Sequence, residues 1–191
     1  MHGKGDLIQP HGGYRKLRSF QTAQLVYDAA VVFCGRFVDQ RSRTRDQMVQ
    51  AARSGVQNVA EGSMASATSK KKELKLTGVA RASLEELLLD YEDFLRQRHL
   101  HLWPKDSPEA LAVRRRYQSD ASDLSDSSDL SDPYRIATAS PEVAANTLIC
   151  LINQASFLLG RQLRQLERQF LHEGGFTERL YRERQTRRRD P

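Results

Sequence analysis

Three carboxylates, Glu61, Glu86 and Asp90, and two histidines, His99 and His101, are the side chains whose types could carry acid–base or metal chemistry in this chain. Glu86 and Asp90 stand four apart, so on a helix they share a face, and their repulsion would raise a pKa. A pair of acids without a nucleophile and an orienting third group builds no active site. His99 and His101 stand two apart and face different sides of a helix, whereas a helical metal pair needs spacings of three or four. The sequence has no Glu-x-x-His pair, no glycine-rich phosphate loop, no CxxC and no Gly-x-Ser-x-Gly elbow. The expectation is a protein that is not an enzyme and uses neither cofactor nor metal.

The basic residues point to a different chemistry. Net charge is +6, and most of the 30 basic residues are arginine, whose planar fork suits phosphates and carboxylates. Lys70, Lys71 and Lys72 follow Thr68 and Ser69 at the start of an expected helix, where free backbone N–H groups and lysines together would attract an anion. A second cluster, Arg179, Arg182, Arg184, Arg187, Arg188 and Arg189, closes the sequence, and from 161 to 191 nine arginines stand against five acids. Arg114, Arg115 and Arg116 form a third, followed by an acidic run that would shield it. Tyr181 is the lone aromatic candidate for stacking in the tail. Any nucleic-acid binding would therefore be electrostatic and without sequence preference.

Helices must position these groups. Phe20, Ala23, Tyr27, Ala30, Cys34 and Phe37 recur in steps of three and four, a stripe widened by Val26, Val31 and Val38, and predict a helix from Ser19 to Gln40. Met48, Ala52, Gly55, Val56 and Val59 predict a second from Arg45 to Glu61, with Gly62 as the residue that stops it. Ala51, Ser54, Asn58 and Glu61 form an adjoining small and polar stripe, and Gly55 would let a neighbouring helix approach closely. Glu61 opposes the dipole of its own helix, so a partner in the next helix start, a lysine or Arg81, is expected. Thr77, Ala80, Leu84, Leu87, Tyr91 and Phe94 predict a third helix from Lys70 to His101, with Arg81–Glu85 and Glu92–Arg96 as surface pairs. Ser140-Pro141-Glu142 opens a fourth that runs to Glu173 before Gly174-Gly175.

The remaining segments divide the chain. Residues 1–18 read as a basic flexible arm, 19–104 as three helices, and 105–139 as a linker. A short helix is expected in the linker near Pro108, ahead of an acidic Ser/Asp insert with Asp at 120, 123, 126, 129 and 132. Residues 140–173 are the fourth helix, and 174–191 an arginine-rich suffix with a short helical extension. No apolar run is read as long enough for a membrane helix and no signal peptide is read at the start, so the expected location is cytoplasmic. Cys34 and Cys150 sit in apolar helical stretches and are expected as core residues.

The stretches "DQMVQAARSGVQNVAEGS", "TSKKKELKLTGVARASLEELLLDYEDFL" and "AANTLICLINQASFLLGRQLRQLERQF…GGF" carry a resemblance. They resemble bacterial four-helix-bundle proteins with a suffix domain. These are relatives of the proteins encoded in large-subunit rRNA intervening sequences and of the accessory variability proteins of diversity-generating retroelements. The likeness spans roughly residues 12–104 and 140–189 and is strongest at Asn58, Glu61 and Gly62 and at Ser83, Leu84, Glu86 and Leu87. It implies an all-α, antiparallel up-down four-helix bundle that assembles as a ring-like homo-oligomer, often a pentamer. For the retroelement branch it implies binding of a reverse transcriptase and of nucleic acid. The Ser/Asp insert departs from that compact pattern. The function expected is non-enzymatic nucleic-acid binding through repeated Arg/Lys patches, as an accessory factor; the alternative is a scaffold that recruits a protein through helix faces or the tail.

Overall fold

Serines set the starts of two of the long helices. Ser69 Oγ accepts from the Lys72 N–H at 3.1 Å and Ser140 Oγ from the Val143 N–H at 3.3 Å, each satisfying a first-turn donor that the helix itself leaves unpaired. The computed structural model describes residues 12–119 and 134–189. Among them regular structure is entirely helical. A short 3-10 turn, Gly13–Lys16, leads into α1 (Arg18–Phe37), α2 (Arg43–Ala65), α3 (Lys70–Gln97), α4 (Pro108–Ser119), α5 (Pro141–Glu173) and α6 (Phe176–Arg189). The protein is all-α.

The short helix expected near Pro108 is present as α4 and the expected C-terminal extension as α6, but the stretch between α3 and α5 is not a plain long loop. The stretch read as a linker contains α4, whose Tyr117 hydroxyl shares a 2.6 Å hydrogen bond with Thr22 Oγ1 of α1. Tyr134 and Ile136, beyond it, are buried, and the Arg36 guanidinium donates to the carbonyls of Ile136 and Ala139. Ala110 and Tyr117, seven apart, are the only residues α4 buries, too sparse a stripe to announce how firmly the segment docks. The "arm" is also partly ordered: Tyr14 packs edge-on against Phe20 with ring centroids 4.8 Å apart. Residues 1–11, including His2 and His11, and the whole Asp series from 120 to 132 lie outside the described residues.

The four long helices touch in a closed cycle: α1 on α2, α2 on α3, α3 on α5 and α5 on α1. Their directions follow from specific contacts. Midway along α2, Ser54 Oγ accepts from Ser83 Oγ at 3.1 Å, while nearer its end Gly62 lies against Glu73, Leu76 and Thr77, so α2 and α3 are antiparallel. Ser19 at the start of α1 donates to Gln162 far along α5 at 2.6 Å, and Arg36 at its end reaches residues just before α5. Asn146 clamps the chain leaving α3, accepting from Trp103 N–H at 2.8 Å and donating to His101 O at 2.8 Å. This clamp, with His99 at φ 55°, explains why α3 stops at Gln97 rather than His101.

The core is built around Phe33, whose ring meets Tyr91 and Phe94 edge-on at 4.9 and 4.8 Å. Of the expected α1 stripe, Phe20, Ala23, Val26, Ala30 and Cys34 are buried, but Val31 is 44% exposed, and Leu25 and Phe33 are buried in its stead. Gly62 does not end α2: the helix continues to Ala65 and Gly62 is buried within it. A Cβ there would sit 3.4 Å from both Glu73 O and Leu76 Cβ. Gly55 is tighter still, its would-be Cβ only 2.8 Å from Leu84 Cδ2. Both glycines let α3 approach. The run starting at Pro141 is long and apolar enough to pass for a membrane span, contrary to the sequence reading, but 67% of its most apolar window is buried among the other helices.

Candidate nucleic-acid interface

Antiparallel packing gathers the start of α1, the end of α2, the start of α3 and the end of α5 at one end of the molecule, so the Lys70–Lys72 cluster lies at the same end as the C-terminal part of α5. Lys70 Nζ lies 3.1 Å from Glu73 Oε2, and Lys72 Nζ 3.2 Å from Glu61 Oε1. The expected partner of Glu61 is therefore a lysine, not Arg81. Ser69 already occupies one first-turn N–H. Of the three lysines, only Lys71 has no carboxylate partner among the described residues, so this helix start is largely neutralised from within.

The tail is helical but loosely attached. α6 packs extensively against none of the other helices. Arg182, Arg184 and Arg188 are exposed and Arg179 half-buried; the side chains of Arg187 and Arg189 lie outside the described residues. Gln185 Nε2 donates to Tyr181 Oη at 3.0 Å, so the tail tyrosine is tied along its own helix. Of the Arg114–Arg116 triplet, Arg114 donates to Lys105 O and Arg116 lies 5.6 Å from the Tyr134 ring centroid, contacts that fasten α4 locally.

A better-formed basic feature lies between α1 and α5. Arg161, Arg164 and Arg168, at i, i+3 and i+7, place one face of α5 opposite Arg18 at the start of α1. They line a cleft of about 320 Å³ together with Leu17, Ser19, Leu158, Gln162 and Gln165. No carboxylate among the described residues lines it. Among the described residues none of Arg161, Arg164 and Arg168 is ion-paired; Arg168 Nε is held by Arg164 O at 3.2 Å. Arg18 lies 5.4 Å from the Tyr117 ring centroid. Arg81 reaches from α3 to the same helix: its Nη1 and that of Arg164 each lie 3.7 Å from the Cβ position of Gly160. Arginine thus continues from α1 across α5 to α3. The sequence shows the spacing of 161, 164 and 168 but not that Arg18 stands across from them, which depends on the register of Ser19 against Gln162.

The remaining candidates are structural. Ser83, Ser54 and Asn58 join α2 to α3, with Asn58 Nδ2 donating to Ser54 O at 2.8 Å and Ser54 Oγ at 3.0 Å. Arg81 Nε is 3.9 Å from Glu85, whereas Arg96 pairs with Asp93 at 2.7 Å rather than with Glu92. Glu86 is exposed. The Asp90 carboxyl is pushed above its usual range, first by burial and then by the charges of Glu86 and Asp93. Burial raises the Cys34 thiol to about 11 and, to a lesser degree, that of Cys150, which is only half-buried. Among the described residues no three His, Cys, Asp or Glu side chains are placed to hold a metal. No protein-family model, no curated protein and no solved structure matches the chain.

Proposed function

We propose that this is a non-enzymatic helical protein that binds nucleic acid through its arginine-rich end, without sequence preference. In this reading the four long helices form an antiparallel up-down bundle, with α4 and α6 as additions to it. The observation that carries the proposal is the Arg161–Arg164–Arg168 face, in which no arginine is ion-paired among the described residues, where Lys70 and Lys72 are paired. Phosphates gain most from cations that have no internal partner to give up. Arg182, Arg184 and Arg188 would extend the surface along a passing strand. The likeness to the rRNA intervening-sequence and retroelement accessory proteins supports a ring-like, even pentameric, assembly and a nucleic-acid enzyme such as a reverse transcriptase as partner. In a ring each basic end recurs around the axis, and weak contacts would add.

The test is binding of single- and double-stranded DNA and RNA across a salt series. Phosphate contacts require affinity to fall steeply with salt; absence of binding at the lowest salt refutes the reading. A second reading, a protein-interaction scaffold, rests on Leu89 and Phe157, 62% and 56% exposed on the neighbouring helices α3 and α5. Light scattering of the parent against Leu89→Glu and Phe157→Glu variants tests it: an assembly that persists unchanged in both removes that face from any interface.

A further inference from the structure

We propose that the cleft between the start of α1 and the C-terminal half of α5 is a phosphate seat, a concave anchor distinct from the general basic surface. The inference rests on the nucleic-acid reading for its biological ligand, but the seat itself is defined by its donors. Arg18, Arg161, Arg164 and Arg168 line it, and its apolar walls are Leu17 and Leu158. Ser19 Oγ donates to Gln162 Oε1 at 2.6 Å, which fixes the amide with its NH2 group left to donate. The N-cap of α1, Leu17, supplies no side-chain cap, so its first-turn N–H groups are offered at the same place, with the positive end of the helix dipole. An anion in the cleft would engage the uncapped N–H groups and relieve the mutual repulsion of Arg161, Arg164 and Arg168 at once.

The shape separates this site from the tail. A flat or loosely held helix such as α6 can follow a backbone but cannot enclose a group. A cleft of about 320 Å³ admits one phosphate or a closely spaced pair and excludes a duplex, whose phosphates it could meet only at its rim. The same chemistry could come from a strand's 5′-terminal phosphate, from a backbone phosphate of a single strand, or from a free phosphate compound.

Calorimetric titration of inorganic pyrophosphate into the full chain at low ionic strength tests the seat, with Arg161→Gln/Arg164→Gln and Arg184→Gln/Arg188→Gln as the compared variants. Losing two charge-assisted contacts should weaken binding by at least about tenfold in the cleft variant, and the tail variant should match the parent within about twofold. Arg161 and Arg164 are exposed; if the double variant nevertheless fails to fold by circular dichroism, Arg168→Gln alone serves. No pyrophosphate binding by the parent, or equal loss in both variants, overturns the seat. A parallel arm uses single-stranded oligonucleotides with and without a 5′-phosphate. A 5′-phosphate preference that vanishes in the cleft variant assigns the seat to strand ends, and equal weakening of both strands assigns it to the backbone. Pyrophosphate bound but no oligonucleotide at any salt keeps the seat for free phosphate compounds and refutes nucleic-acid binding. Oligonucleotide bound with the cleft variant unaffected refutes the seat and leaves the nucleic-acid reading standing.

Discussion

Replacing Gly55 by alanine should destabilise the protein, although alanine is the better helix former. The methyl would sit 2.8 Å from Leu84 Cδ2 and 3.1 Å from Leu84 Cγ. Leu84 is fully buried, so it cannot swing into solvent and must displace other core atoms. Overpacking of this kind costs about 1–3 kcal/mol, while removing glycine from a helix interior returns about 1 kcal/mol. The net expectation is a loss of about 1 kcal/mol, within a range of roughly 0–2, and a melting temperature lower by about 2–4 °C per kcal/mol for a chain of this size. Gly78 in α3 supplies the control: nothing lies within 4 Å of its would-be Cβ, so Gly78→Ala should instead stabilise by about 1 kcal/mol.

Urea unfolding followed by circular dichroism measures both variants, with an unchanged slope showing that only stability has moved. Leu84→Val supplies the second leg. Shortening that side chain costs stability by itself, but it vacates space the new methyl needs, so the double variant should lose less than the sum, with a coupling of about 0.5–3 kcal/mol. If Gly55→Ala proves as stabilising as Gly78→Ala, or if the two losses at 55 and 84 simply add, α3 does not approach α2 as closely as the geometry requires.

Three further outcomes follow from individual contacts. Glu61→Gln should weaken the α2–α3 corner by less than about 1 kcal/mol, because its 3.2 Å pair with Lys72 is half-exposed; a loss that survives high salt would mean the glutamate does something other than pair. Tyr117→Phe deletes the 2.6 Å bond to Thr22 and should cost about 1 kcal/mol, with faster proteolysis near α4, whereas unchanged melting and proteolysis would show that α4 is not held by this contact. Asp28 has a buried Oδ2 without a hydrogen-bond partner among the described residues, and burial raises its carboxyl pKa. The folded state thus holds that proton to higher pH than the unfolded chain, and stability falls as pH rises through the interval between the two values. Asp28→Asn should therefore melt above the parent near neutrality, with the advantage fading below the ordinary carboxylate range; an advantage independent of pH would contradict the burial argument.

Much of the fold is legible in the sequence because the four long helices carry dense apolar stripes, and Ser69 and Ser140 cap as their positions suggest. What escaped depends on neighbours. Gly62 follows a glutamate near the end of an apolar pattern, where a terminating glycine is the natural reading, yet α3 passes so close that glycine is needed inside the helix. The docking of α4, though not its existence, escaped as well: it buries only Ala110 and Tyr117, too few to mark a packed face, and its anchor, Thr22, is on another helix. The Glu61–Lys72 pair could be expected because a short turn leaves few partners within reach.

The two basic regions at the shared end differ for a reason that helix electrostatics supplies. Lys70–Lys72 stand on the positive end of α3, where cations are disfavoured, and the fold answers with Glu61 and Glu73 at salt-bridge distance and a serine cap. Arg161, Arg164 and Arg168 lie in the later half of α5, away from any positive helix end of their own, so nothing in their helix demands neutralising acids, and among the described residues none is ion-paired. A run of lysines is therefore conspicuous in the sequence but mostly satisfied in the fold. Three arginines spread over eight positions of an amphipathic helix are inconspicuous, and become a concave cation cluster only when α1 delivers Arg18 and an uncapped helix start against them. Cations that the fold leaves unpaired, rather than cations that are merely numerous, mark the surface on which an anionic partner gains most.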